Sequence, residues 1–220
     1  MTVKLVADPY PPYQFEENGE IIGVDLDIIT ESLKIHGIAA ESNLYHWDEC
    51  MALMERGAAD GIFQITPTPQ RTARYLFSEP LRTARTVFIK RAGTAIDLNG
   101  SGDLVAQLRN IRIGVQSGYS YTPSIDSLDD EQKVERQSSG TLLHGLLQDE
   151  FSLALMDHGV ASYLAEKLGL GGIAYVQDFS IRRDLHVAFQ KHHRELVRQF
   201  DDGLGTLKKS RLYDEIFQRY

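Results

Sequence analysis

Apolar residues in the first third of the chain fall into two alternating kinds of pattern. Residues 3–7 make a short, nearly continuous apolar run, which predicts a buried strand. Val24, Ile28, Ile29 and Leu33 then recur at helical spacing. They predict a helix over residues 24–36 that stops at Gly37, a residue suited to the left-handed turn after a helix end. A strand over residues 39–45 follows. Trp47 opens a second helix, with Asp48 expected to cap it, Met51, Leu53 and Met54 on its apolar side, and Gly57 at its end. Residues 59–65 predict another strand. Strand, helix, strand, helix, strand is the order that builds a parallel sheet with crossover helices, so the expected class is α/β.

The same order returns later. Residues 86–90 read as a strand, and the polar, glycine-containing passage 92–103 as the boundary of a first lobe. A second series begins with a strand at 111–115, a loop at 116–121, and Thr122 and Pro123 as cap and first residue of a helix. Then come a short strand about Val134, a helix at 141–149, a strand at 151–156 ending at Asp157, a helix at 160–168, and strands at 173–176 and 185–190. The tail carries two helical stripes: Leu196, Phe200, Leu204 and Leu207, then Tyr213, Ile216 and Phe217. Passages 53–60 and 142–149 each read as helix, short turn, then a strand with a polar end. That end is Gln64 and Thr66 in the first case and Asp157 in the second. Ligands bind at the carboxyl ends of strands in open α/β sheets.

The candidate chemistry gathers at Thr66-Pro67-Thr68-Pro69-Gln70-Arg71. Pro67 and Pro69 forbid the strand from continuing, so Gln64, Thr66 and Thr68 are offered at its terminus with Arg71 close behind. Hydroxyls, open backbone amides and a guanidinium fork suit a carboxylate. The alternative is a proline-punctuated turn with a surface arginine. Asp157 likewise reads either as a ligand group or as the N-cap of the following helix. Upstream, Asp8-Pro9-Tyr10-Pro11-Pro12-Tyr13-Gln14-Phe15 is a stiff loop that holds up three aromatic rings.

Composition narrows the classes. A net charge of -8 without a basic block disfavours nucleic acid and anionic membrane as partners, and no apolar run approaches the ~18 residues of a membrane span. Cys50 is the single cysteine, and the histidine pair His192-His193 lacks zinc-site spacing, so neither metal nor cofactor is expected. Gly169-Leu170-Gly171-Gly172 follows a helix, which fails the dinucleotide test. Asp25 and Asp27 at a helix start read as dipole-stabilising, and Cys50 as core. No signal peptide precedes residue 3, so the chain is either cytoplasmic or stripped of a leader.

Several motifs recur in a specific order and spacing. They are Tyr10-Pro11-Pro12-Tyr13, Gly23-Val24-Asp25-Leu26-Asp27, Trp47, Arg56-Gly57-Ala58-Ala59-Asp60-Gly61, the Thr66–Arg71 stretch, Phe77-Ser78-Glu79-Pro80, Gly114-Val115-Gln116-Ser117-Gly118 and Leu155-Met156-Asp157. Together they resemble the periplasmic amino-acid-binding proteins, the type II solute-binding proteins of family 3 that serve ABC importers and some sensor ectodomains. The resemblance covers nearly the whole chain.

It implies a two-lobed periplasmic-binding-protein-like type II fold, with two mixed sheets, a hinge and an interlobe cleft. Residues 1–88 and 188–220 would form lobe 1 and residues 89–187 lobe 2. It implies a monomer outside the cytoplasm that captures a polar amino acid and presents it to an ABC permease, or alternatively reports it to a sensor kinase. By resemblance, Arg71 forks onto the ligand carboxylate, and Thr66 and the Tyr119-Ser120 loop add bonds to it. Asp157 takes the α-ammonium, and Tyr10 and Trp47 sandwich the side chain. Gln64 from the strand end and Tyr13 from the aromatic loop complete the candidate ligand-binding set. Gln70, Leu81 and the bulky Tyr119 depart from the usual pattern. A few relatives dehydrate cyclohexadienyl acids using an acid one turn beyond the residue matching Asp157. Here His158, Gly159 and Val160 stand there, with Glu166 too far along, so a non-enzyme is expected.

Overall fold

The computed structural model describes residues 1–100, 102–117, 119 and 121–220. In chain order the first elements are β1 (Thr2–Ala7), β2 (Phe15–Glu17), β3 (Glu20–Ile22), α1 (Val24–Lys34), β4 (Ala39–Leu44), α2 (Trp47–Glu55), β5 (Gly61–Ile65), α3 (Pro69–Arg74) and β6 (Tyr75–Phe77). Next come β7 (Arg82–Arg91), α4 (Leu104–Gln107), β8 (Ile113–Gln116), α5 (Pro123–Asp126), β9 (Lys133–Arg136), α6 (Ser139–Leu147), β10 (Leu153–Asp157), α7 (His158–Lys167) and β11 (Ile173–Tyr175). The chain ends with β12 (Ile181–Gln190), α8 (Arg194–Leu207) and α9 (Arg211–Phe217). It divides into two compact units, Met1–Thr83 with Arg183–Tyr220, and Ala84–Arg182.

In the first unit β1 lies parallel between β4 and β5, and β12 runs antiparallel to β5. One side of this sheet is sealed by Val6, Ile62, Ile65 and Ala188 with Cys50 and Met54 from α2. The α8 stripe Leu196, Phe200, Leu204 and Leu207 is buried in full, and Phe200 meets Phe189 of β12 at 5.6 Å between ring centroids. Helices α1 and α8 approach so closely that a Cβ on Gly203 would lie 2.1 Å from the Ser32 carbonyl oxygen. Glycine is required there by the contact itself.

The second unit repeats the arrangement. β8 lies parallel between β9 and β10, and β7 runs antiparallel to β10. Phe88, Leu108, Ile113, Leu153 and Leu155 form its core. The run β4-β1-β5-β12 thus matches the run β9-β8-β10-β7, each with three parallel strands and one antiparallel. In this match the carboxyl end of β5 corresponds to that of β10.

Three local expectations are corrected. Passage 92–103 is no lobe boundary: it lies inside the second unit, where Leu98 is buried in the core. Asp48 does not cap α2, because His46 occupies the cap position without a side-chain bond and Asp48 sits in the first turn. Finally, the proline-rich stretch after β5 does more than turn. Thr68 caps α3, and Pro69 begins it where a missing N–H costs nothing.

Candidate half-sites at the two strand ends

At the end of β5, the cap that starts α3 fixes Arg71. The Thr68 hydroxyl accepts from the Arg71 backbone N–H at 3.3 Å. The Arg71 Nη1 then turns back to donate to the Thr66 carbonyl at 3.0 Å, with the Thr66 hydroxyl at 3.5 Å. Its guanidinium carbon lies 5.2 Å from the centre of the Trp47 ring, a cation–π distance. Burial pulls the Arg71 pKa below its ordinary value. Arginine nevertheless stays charged in proteins. Among the described residues no carboxylate pairs with it.

Arg82 makes an instructive contrast. It is buried against Asp25, with Nε to Oδ1 at 2.6 Å and Nη2 to Oδ2 at 3.1 Å, a bidentate pair. Its guanidinium carbon also lies over the Tyr13 ring, 3.3 Å from the ring centre, and Tyr13 stacks on Tyr10 at 6.0 Å. Tyr13 is therefore buried under a cation and buttresses the half-buried Tyr10. Asp25 is structural, as expected: it stands in the first turn of α1 and from there also holds Arg82.

A polar group also gathers here, of which sequence reasoning named Gln64 but left out Gln14 and Asp8. The Gln14 side chain is fully buried, and its Nε2 donates to the Asp8 carbonyl at 2.9 Å and to the Gln64 Oε1. The Gln14 Oε1 is buried with no partner. An unmatched buried acceptor costs about 1–3 kcal/mol. Gln64 itself has φ +58, a left-handed conformation unusual for a side-chain-bearing residue. The ladder explains it: Val187 faces Phe63 and His186 faces Ile65, so Gln64 is the extra residue of a bulge. Beside it, burial pushes the Asp8 carboxyl up in pKa, partly opposed by His46. Burial, with Asp8 and Glu49 nearby, pushes the Cys50 thiol up to about 11. Asp8 stands at the end of β1, by the same logic that singled out Asp157, and that position was its signal.

In the second unit Asp157 is 6% exposed at the end of β10. Its Oδ1 accepts from the Gly159 and Val160 amides at 3.0 and 3.2 Å, so it caps α7. His158 stacks on Tyr175 at 4.5 Å, and burial and Arg85 depress its pKa against the pull of Asp157. Tyr119 is exposed, its ring 6.4 Å from that of Tyr121, while Ser120 lies outside the described residues. Tyr10, Tyr13, Trp47, Gln64, Thr66 and Arg71 thus belong to the first unit, and Tyr119 and Asp157 to the second. Among the described residues no cluster of three or more His, Cys, Asp or Glu side chains is placed to hold a metal ion.

Known proteins match this chain along nearly its whole length. A probable histidine-binding protein of Campylobacter jejuni is 22% identical over 224 residues, spanning 100% of this chain and 85% of its own. An arginine-binding periplasmic protein of Mannheimia haemolytica is 26% identical, over 98% of this chain and 90% of its own. The fold matches a histidine kinase sensor domain similar to periplasmic binding proteins, with a TM-score of 0.79 at 18% identity, covering 100% of this chain and 95% of that one. The model of the bacterial extracellular solute-binding proteins, family 3, matches residues 3–220, and the chain belongs to that family.

Proposed function

We propose that this protein captures a free amino acid outside the cytoplasm and hands it to an ABC importer. The observation that carries the reading is Arg71. A guanidinium aimed by Thr66, half-buried and without a protein carboxylate among the described residues, is a binding group for an anion. Its neighbour Arg82 shows what a satisfied arginine looks like in the same unit. The amino acid's α-carboxylate is the anion, with the Thr66 hydroxyl or amide beside it. On the second unit, Asp157 is the acceptor for the α-ammonium. It keeps its cap bonds while doing so, since a carboxylate accepts at about four lone-pair sites. Relatives named for histidine and for arginine support a polar, nitrogen-bearing ligand.

Binding, not catalysis, is the role. His158, Gly159, Val160 and Ala161 fill the turn after Asp157, and none can act as a carboxylic acid. A second reading, the ligand-sensing part of a membrane kinase, is favoured by the likeness to the sensor domain and uses the same grip. A membrane span and kinase domain encoded in the same gene would mark the sensor, and copurification of a permease from native membranes the importer.

A thermal-shift screen of the standard amino acids tests the main reading. The best ligand at 100 times its Kd adds about 2.7 kcal/mol of stability. Its decarboxylated amine, lacking the group Arg71 grips, adds none. An amine that stabilises as well as its amino acid would refute the carboxylate grip.

A further inference from the structure

The geometry points to Gln64 as the residue that selects the ligand side chain, by presenting an oriented amide donor. This inference rests on the amino-acid reading. Gln14 sets the orientation. The Asp8 carbonyl only accepts, so the Gln14 group facing it at 2.9 Å must be the NH2. The second hydrogen of that NH2 goes to the Gln64 side chain, so the atom received is the Gln64 oxygen. The Gln64 NH2 is therefore turned away from Gln14, and among the described residues it donates to nothing.

Two further observations mark the arrangement as a device. Gln14 is fully buried with its Oε1 unmatched, so both of its hydrogens are committed to fixing its neighbours. The bulge at Gln64 re-aims that side chain out of the strand alternation at the expense of a left-handed backbone. Gln64 stands two residues before Thr66, at the same strand end. A carboxylate held at Thr66 and Arg71 thus leaves Gln64 at the reach of a ligand side chain. An amide N–H there takes a side chain that ends in an acceptor: a carboxamide, a carboxylate oxygen or a neutral imidazole nitrogen. Ammonium and guanidinium groups carry only donors and are disfavoured.

Calorimetry with glutamine, histidine, arginine and lysine on the wild type, Gln64→Glu and Gln64→Gly tests this. The wild type is expected to bind glutamine or histidine at least tenfold tighter than arginine or lysine. Gln64→Glu replaces the donor with an acceptor and shifts that preference toward arginine and lysine by at least tenfold. Gln64→Gly keeps the left-handed backbone, takes away the amide and loses the preference while still binding, so it decides the question alone should Gln64→Glu fail to fold. A wild type that prefers arginine or lysine, a smaller preference, or variants that weaken all four ligands alike overturns the inference while leaving the amino-acid reading in place. Silence from the wild type toward every standard amino acid sinks both.

Discussion

Two arginines in one unit show how environment divides a single chemistry into structure and recognition. Arg82 is walled in by Asp25 and Tyr13, and stripping either charge from that pair leaves the other buried alone, a loss of about 3–5 kcal/mol. Arg71 has the same fork but spends Nη1 on Thr66, and in the proposed reading its remaining donors serve the ligand. Arg71→Lys retains the charge and loses the planar fork, so it weakens amino-acid binding measurably. Arg71→Ala weakens it further, by roughly 2–5 kcal/mol, because the ligand carboxylate is desolvated without a partner. Calorimetry on folded variants reads both. Binding of Arg71→Ala within about threefold of the wild type would make this arginine an ornament of the surface. Arg71 was legible in the sequence because proline and hydroxyl residues announce a strand end. The Asp25–Arg82 pair was not, since it joins residues 57 apart whose local contexts say nothing of one another.

At the level of elements, periodicity located the strands and long helices well, and the errors have a common cause. Helix α3 is only six residues long, too short for an apolar stripe to show, although Thr68-Pro69 carried its start signal. The bulge in β5 is equally silent, because a glutamine in an apolar run looks like any half-buried strand residue until its partner strand is known. That strand arrives more than 110 residues later as β12, so no local window contains both. Packing of α1 on α8 is similarly non-local, and it rests on Gly203. Gly203→Ala forces the helices apart, and overpacking of this kind costs about 1–3 kcal/mol. Thermal or urea unfolding is expected to show that loss, with ligand affinity of the folded fraction preserved. An unchanged midpoint would mean that the two helices slide freely past each other.

Over the whole molecule, the equivalence of β4-β1-β5-β12 with β9-β8-β10-β7 turns a faint sequence echo into two copies of one plan. Each copy offers a polar group where its third parallel strand ends. If one ligand engages Arg71 and Asp157, hydrogen exchange slows on its addition both at Gly61–Ile65 and at Leu153–Asp157. Protection confined to the first segment would reduce Asp157 to a helix cap. The division into units was expected at residues 88 and 188, whereas the compact units part at Thr83 and Arg183. The connecting strands β7 and β12 look uniform in sequence, and only their tertiary partners show where one unit yields to the next. The same division governs the order in which the molecule can assemble on the ribosome. The first 83 residues emerge without β12 and without α8, the helix whose Gly203 packs against Ser32 of α1. The second unit is continuous and is free to close first, though it is made later, against the usual N-to-C order of domain folding. The unit that holds Arg71 stays an unfinished shell until β12 and α8 are translated, so a chain cut short of them carries Arg71 without the fold that sets it.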